Sequence, residues 1–229
     1  MENPCRRVDT PRVDRKDINF LQDDEIAYFV ECLQNEKPEN QLIFLAFLYT
    51  GFRRGELLGL EWDDIDFKQN MICVKDTSQY TSDRGVYTES TKTEKSKRTI
   101  KVPELLIELF RGHKIAQMEL KLKMGDQWQE TGKIFTAQNG TPMNPNIPLS
   151  RLKRFINKYG IKDICNQSLR HTSASILINN KTNPNTVAGR LGHSQTSTTL
   201  NIYAHQFQSA AEAASETLEF ALNPIKRQA

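Results

Sequence analysis

Thr50-Gly51-Phe52-Arg53-Arg54-Gly55-Glu56 joins a segment that is apolar nearly all round, residues 39–50, to the short run Leu57-Leu58-Gly59-Leu60. A helix carrying Leu42, Ile43, Leu45, Phe47 and Leu48 has no polar face to give to water, so it belongs at the centre of a core. Gly51 permits the sharp turn that ends it. Arg53 then stands at the end of a buried element, where a guanidinium is held rigidly and can grip two oxygens of a phosphate at once. Glu56 follows three residues later on the same helical face, placed to orient that arginine or simply to pair with it. Arg54 competes with Arg53 for the phosphate.

Residues 1–19 hold charge, Pro4, Pro11 and almost no apolar period, and they read as a linker or extended arm. From Asp23 onward Ile26, Phe29, Val30 and Leu33 recur at helical spacing, with Asp23, Asp24 and Glu25 suited to a first turn. Downstream, Met71-Ile72-Cys73-Val74, Val86-Tyr87-Thr88 and Thr99-Ile100-Lys101-Val102 predict a small antiparallel three-stranded sheet. Pro103 opens a helix to about Lys123, with an apolar stripe of Leu106, Leu109, Phe110 and Ile115. Turn-like sequence fills 125–146, apart from an extended Ile134-Phe135. Helices are expected at about 147–159, 168–180 and 184–191, then a segment at 197–203 and an Ala-rich tail helix with Ala211, Ala214, Leu218 and Leu222. The expected fold class is α+β: a mainly helical domain with one small sheet.

At 229 residues the chain can form one core or divide into two lobes. No apolar run reaches the roughly 18 residues of a membrane span, and the start lacks a signal-peptide core, so a cytoplasmic location and no membrane partner are expected. Cys5, Cys32, Cys73 and Cys165 are far apart, which argues against a zinc site or a disulfide framework and for reduced, partly buried thiols. A net charge of +3 is too small to identify a nucleic-acid partner by itself. Its distribution says more. Lys92, Lys95, Lys97, Arg98 and Lys101 crowd one segment, and Arg151, Lys153, Arg154 and Lys158 another. Such clusters are either solvated faces or contacts to phosphates.

The order of the remaining polar residues suggests the chemistry. After Arg53 come Lys92, then Leu169-Arg170-His171, then Leu191-Gly192-His193, then Tyr203. Two arginines, a lysine, a histidine and a tyrosine suit the cleavage of a phosphodiester without a metal: cations for the non-bridging oxygens, an acid for the leaving oxygen, and a nucleophile. Arg170, expected in the first turn of its helix, would share the anion with the helix dipole. His171 is expected to buttress the core. Taken singly, Tyr203 on a helix is a packing residue and Lys92 a solvated turn lysine.

In this order and spacing the chain resembles the catalytic domain of the tyrosine recombinases, the family of phage and conjugative-transposon integrases. The resemblance runs from about residue 19 to 205. The family's Gly-hydrophobic-Arg-x-x-Glu maps onto Gly51, Phe52, Arg53 and Glu56, which assigns the phosphate to Arg53 and leaves Arg54 at the surface or on the DNA backbone. The resemblance implies Lys92 as general acid to the leaving 5′ oxygen, with Lys95 and Lys97 as near competitors. It implies a phosphate or proton-transfer role for His193, and Tyr203, ten residues on, as the nucleophile that forms a 3′-phosphotyrosine. One position departs from the pattern: where the family has the histidine of His-x-Leu-Arg, this chain has Gln167. Glutamine cannot take a proton near neutral pH, and loss of a general base costs about 10²- to 10⁴-fold in rate.

The implied activity is site-specific DNA cleavage and rejoining for integration and excision of a mobile element, with no metal or other cofactor. The implied partners are double-stranded DNA and further copies of the chain, two to four on DNA. Residues 20–207 would form the catalytic domain, and a tail helix, 208–229, would dock either on its own domain or on a neighbouring protomer. Arg54, Lys95, Lys97, Arg98, Arg151, Lys153 and Arg154 are the expected DNA contacts outside the reacting centre. A type IB topoisomerase and a catalytically weakened DNA-binding relative, the latter suggested by Gln167, are the alternatives.

Overall fold

The computed structural model describes residues 19–90, 97–193 and 197. Helix α1 (Asp23–Leu33) starts where the Gln22 N–H donates to the Glu25 carboxylate at 2.6 Å, with three acidic residues on the positive end of the helix dipole. Its Phe29 meets Phe155 edge-to-face at 5.0 Å between ring centroids, and Phe44 closes the aromatic cluster. Phe44 belongs to α2 (Pro38–Thr50), the expected central helix, whose Leu42, Ile43, Phe44, Ala46 and Phe47 are all buried. It packs on α4 (Glu104–Met124), α5 (Ile147–Tyr159) and α6 (Asn166–Asn179), so what happens at its C-terminus is fixed by the core. It ends on Gly51 in the left-handed conformation (φ 64°), and α3 (Arg54–Gly59) begins three residues later.

The three-stranded sheet exists, with one strand exchanged. Its order is β1 (Ile65–Asp66), β2 (Met71–Val74), β5 (Arg98–Lys101), all antiparallel, with Ile65, Ile72 and Ile100 in register on the buried face. Val86-Tyr87-Thr88 belongs instead to β4 (Gly85–Ser90), which pairs with β3 (Asp76–Thr81) in a separate hairpin. Asp-Thr-Ser-Gln-Tyr-Thr has no apolar alternation, so β3 left no periodic signal. It is held by close approach to α3: a Cβ on Gly55 would lie 2.7 Å from the Ser78 carbonyl oxygen, and one on Gly59 2.8 Å from that of Asp76.

Helix α4 starts at Glu104, with Pro103 as its N-cap. It buries Leu106, Ile107 and Phe110, while Ile115, expected in the apolar stripe, is exposed. Helix α5 has the expected bounds, and α6 begins two residues earlier than expected. The last described helix, α7 (Pro184–Leu191), is capped by Asn183, whose side chain accepts the Asn185 N–H at 2.8 Å. Its Val187 and Leu191 pack with Ala174 and Ile178 of α6 in a second small cluster. Among the described residues no helix is long and apolar enough to cross a membrane.

Candidate active site

The turn after α2 sets the first arginine. Arg53 is the N-cap of α3 in extended conformation, and Glu56 holds it twice: one carboxylate oxygen accepts the Arg53 backbone N–H and the other its Nη1, both at 2.9 Å. The Arg53 side chain is half exposed, whereas Glu56 is buried. Burial acts to raise the Glu56 pKa, but the Arg98 hydrogen bond and charge, with help from Arg53, outweigh it and hold the carboxyl below its ordinary range. Glu56 is therefore a fixed anion that orients Arg53.

The second arginine is organised around the same turn. Arg170 is the fifth residue of α6, two residues further into the helix than expected, and its Nη1 donates to the Gly51 carbonyl at 2.6 Å. One end of α2 thus positions both guanidiniums, through the chain on one side and a hydrogen bond on the other. The histidines are close enough to feel this charge. His193 is pushed down to about 4 by burial, then by Arg170 and Arg53. His171 is also pushed to about 4, by burial and Arg170. Both are neutral at pH 7.

Arg53, Arg54, Gln167, Arg170, His171 and His193 line one cleft of about 940 Å³, walled by Thr77–Tyr80 of β3, Pro145–Asn146 and the start of α6. His171 is thus at the cleft as well as buried, which the expected buttressing role did not include. Among the described residues, Ser78 Oγ and Asn166 Oδ1, buried at the cleft wall, have no hydrogen-bond partner. Lys92, Lys95 and Tyr203 lie outside the described residues.

The outer basic residues separate into different places. Arg54 is at the cleft, its Nη1 3.3 Å from Asn146 Oδ1. Arg98, expected on DNA, is placed inside instead: only 10% of its side chain is exposed, and it clamps Glu56 at 2.8 Å and lies 5.0 Å over the Phe52 ring. Arg151 pairs with Glu39 at 2.8 Å, and with the exposed Arg154 it lines a separate cleft of about 760 Å³ between α2, α4 and α5. Lys153 pairs with Asp163, and Lys97 is exposed. The sequence reading missed Arg190 entirely. Its Nη2 donates to the Tyr49 carbonyl at 2.6 Å and its Nη1 to that of Lys101 at 3.1 Å, fastening the end of α7, and so Gly192-His193, to α2 and β5. Its place directly before Leu191-Gly192-His193 was the one available signal. Among the described residues no group of three or more His, Cys, Asp or Glu is placed to hold a metal ion.

Comparison with known proteins identifies the family. The phage integrase family model matches residues 19–210. A XerC-like tyrosine recombinase of Caldanaerobacter subterraneus subsp. tengcongensis is 32% identical, covering 95% of this chain and 59% of its own length. The ICEBs1 integrase of Bacillus subtilis is 28% identical, with 95% and 58% covered. The chain therefore spans less than two thirds of the curated relatives it matches. Among solved structures, the Tn1549 transposon integrase in complex with transposon right end DNA superposes with a TM-score of 0.76 at 25% identity, covering 90% of this chain and 67% of that one. The chain belongs to the phage integrase family.

Proposed function

We propose that this chain is the catalytic part of a site-specific DNA recombinase that integrates and excises a mobile element. The observation that carries this is one cleft on which Arg53, Arg170 and His193 converge from three separate stretches of sequence. The two guanidiniums there would bind the non-bridging oxygens of a scissile phosphate and stabilise the charge that grows on them in the transition state. Tyr203 would attack the phosphorus, forming a 3′-phosphotyrosine while the 5′ oxygen leaves with a proton from Lys92, and a 5′-hydroxyl would later reverse the step.

With Gln167 unable to act as a base, His193 takes the tyrosine proton. Its pKa, pushed down to about 4, leaves the ring neutral at pH 7 and able to take up a proton. A bound phosphate offsets the charges of Arg53 and Arg170, removes that part of the depression, and makes His193 a stronger base only when substrate is present. Double-stranded DNA is the partner, bound by two to four protomers in the bacterial cytoplasm, at the nucleoid. The Tn1549 integrase was solved on DNA, and the other relatives named are a recombinase and an integrase, which favours strand exchange over plasmid relaxation or idle binding. A nicked duplex carrying the sequence this chain selects from a random pool is the test. A protein–DNA adduct that survives denaturation is expected, lost in Tyr203→Phe; specific binding with no adduct at any time would leave only a DNA-binding protein.

A further inference from the structure

Glu56 is shared, and the way it is shared assigns Arg98 a task. Its Oε1 receives Arg53 Nη1 at 2.9 Å and Arg98 Nη1 at 3.3 Å; its Oε2 receives the Arg53 backbone N–H at 2.9 Å and Arg98 Nη2 at 2.8 Å. Each oxygen therefore carries one donor from each arginine. The carboxylate cannot turn to follow Arg53 without breaking the fork from Arg98. Arg98 is also tied on its far side, where Nε donates to the Arg190 carbonyl at 2.9 Å. Two residues on, the Gly192 carbonyl lies 3.3 Å from Arg53 Nη1, so the contacts close a loop through Arg53, Glu56, Arg98 and the turn that carries His193.

We propose that Arg98 is a positioning residue for strand cleavage: acting through Glu56, it sets the direction of the Arg53 guanidinium and couples it to the Gly192-His193 turn before DNA binds. The inference rests on the recombinase reading above. Exposure divides the labour between the two arginines. Arg53, 52% exposed, is available to a phosphate, whereas Arg98, 10% exposed with both sides of its guanidinium engaged, is not. The choice of residue follows. Three hydrogen bonds to two partners on opposite sides need a planar fork and a separate Nε–H, whereas the lysine ammonium is a point charge on a flexible stem.

The test compares wild type, Arg98→Lys, Glu56→Gln and the double variant on the same pool-selected nicked duplex, with single-turnover adduct formation and binding across a salt series measured separately. Arg98→Lys is expected to slow adduct formation about 10- to 100-fold, the scale of a small misplacement of a reacting group. Affinity and the slope of log affinity on log salt should stay at wild-type values, because no phosphate contact is lost. In the Glu56→Gln background the same change should add little. A wild-type rate in Arg98→Lys, a salt slope reduced by about one contact, or additive losses would each overturn the inference while leaving the recombinase reading intact. A wild-type chain that forms no adduct overturns that reading and the inference with it. If Arg98→Lys is unfolded at the assay temperature, Gly192→Ala, which presses on the same guanidinium without removing its charge, should give the slow-cleavage, unchanged-salt pattern; a wild-type rate there refutes the inference.

Discussion

Gly192→Ala separates backbone strain from disruption of the arginine clamp. Gly192 has φ +70°, and a Cβ there would lie 2.5 Å from Arg98 Nη1 and 2.7 Å from its Cζ. The backbone part is the cost of an L-residue in the left-handed region, about 1 kcal/mol. The guanidinium part is larger than for a free side chain, because Arg98 cannot swing away without lengthening its bonds to Glu56 and the Arg190 carbonyl. Losing one charge-assisted hydrogen bond costs about 1.5–3 kcal/mol. The sum, roughly 2.5–4 kcal/mol, corresponds to a fall in Tm of about 5–16 °C for a chain of this size. Gly85→Ala is the control: φ is +69°, but nothing lies within 4 Å of the added Cβ, so only the backbone part applies and Tm should fall by about 2–4 °C. Thermal unfolding followed by circular dichroism reads both. Equal losses at the two glycines would refute the crowding of Arg98.

Arg170→Lys keeps the charge but loses the fork that spans the Gly51 carbonyl and the cleft, and adduct formation should fall about 10²- to 10³-fold; a change under threefold, in a protein that melts like wild type, would count against the clamp. Stability should decline on acidification. His171 and His193 titrate near 4 when folded against 6.5 unfolded, so the unfolded chain takes up protons first and stability, intact above about pH 6.5, is lost as pH falls towards 4. Buried His171 supplies on the order of 2–3 kcal/mol of this, and half-buried His193 less because solvent screens it. Urea titrations of wild type and His171→Gln at pH 7 and 4.5 check it: an equal acid loss in both excludes His171 as a source. Deleting residues 208–229 should weaken assembly of protomers on DNA, and unchanged sedimentation of the protein–DNA complex would place that tail on its own domain.

Much of the site was legible because its residues sit in short, ordered motifs. Gly51 to Glu56 could be read as a turn plus a held arginine, since an all-apolar segment must be buried and a glycine must end it. Helices α5 and α7 were equally readable, one from its apolar stripe and the other from Asn183-Pro184. The β3–β4 hairpin was not, because Asp76–Thr81 is polar and its position depends on the absence of side chains at Gly55 and Gly59, two elements away. Arg98 looked like a surface cation among lysines. Only the fold shows that its partners are Glu56, 42 residues upstream, and a carbonyl 92 residues downstream. Arg190 was missed for the same reason: it acts on main-chain carbonyls, and no sequence motif records those.

The most direct measurement is to find which atom of the protein carries the DNA. The covalent adduct would be digested with nuclease and protease and the modified peptide sequenced by mass spectrometry. A nucleotide 3′-phosphate on the Tyr203 hydroxyl, absent when Arg53 or Arg170 is replaced by alanine, is the expected result. Linkage to any other residue, or through the 5′ end of the strand, would contradict it.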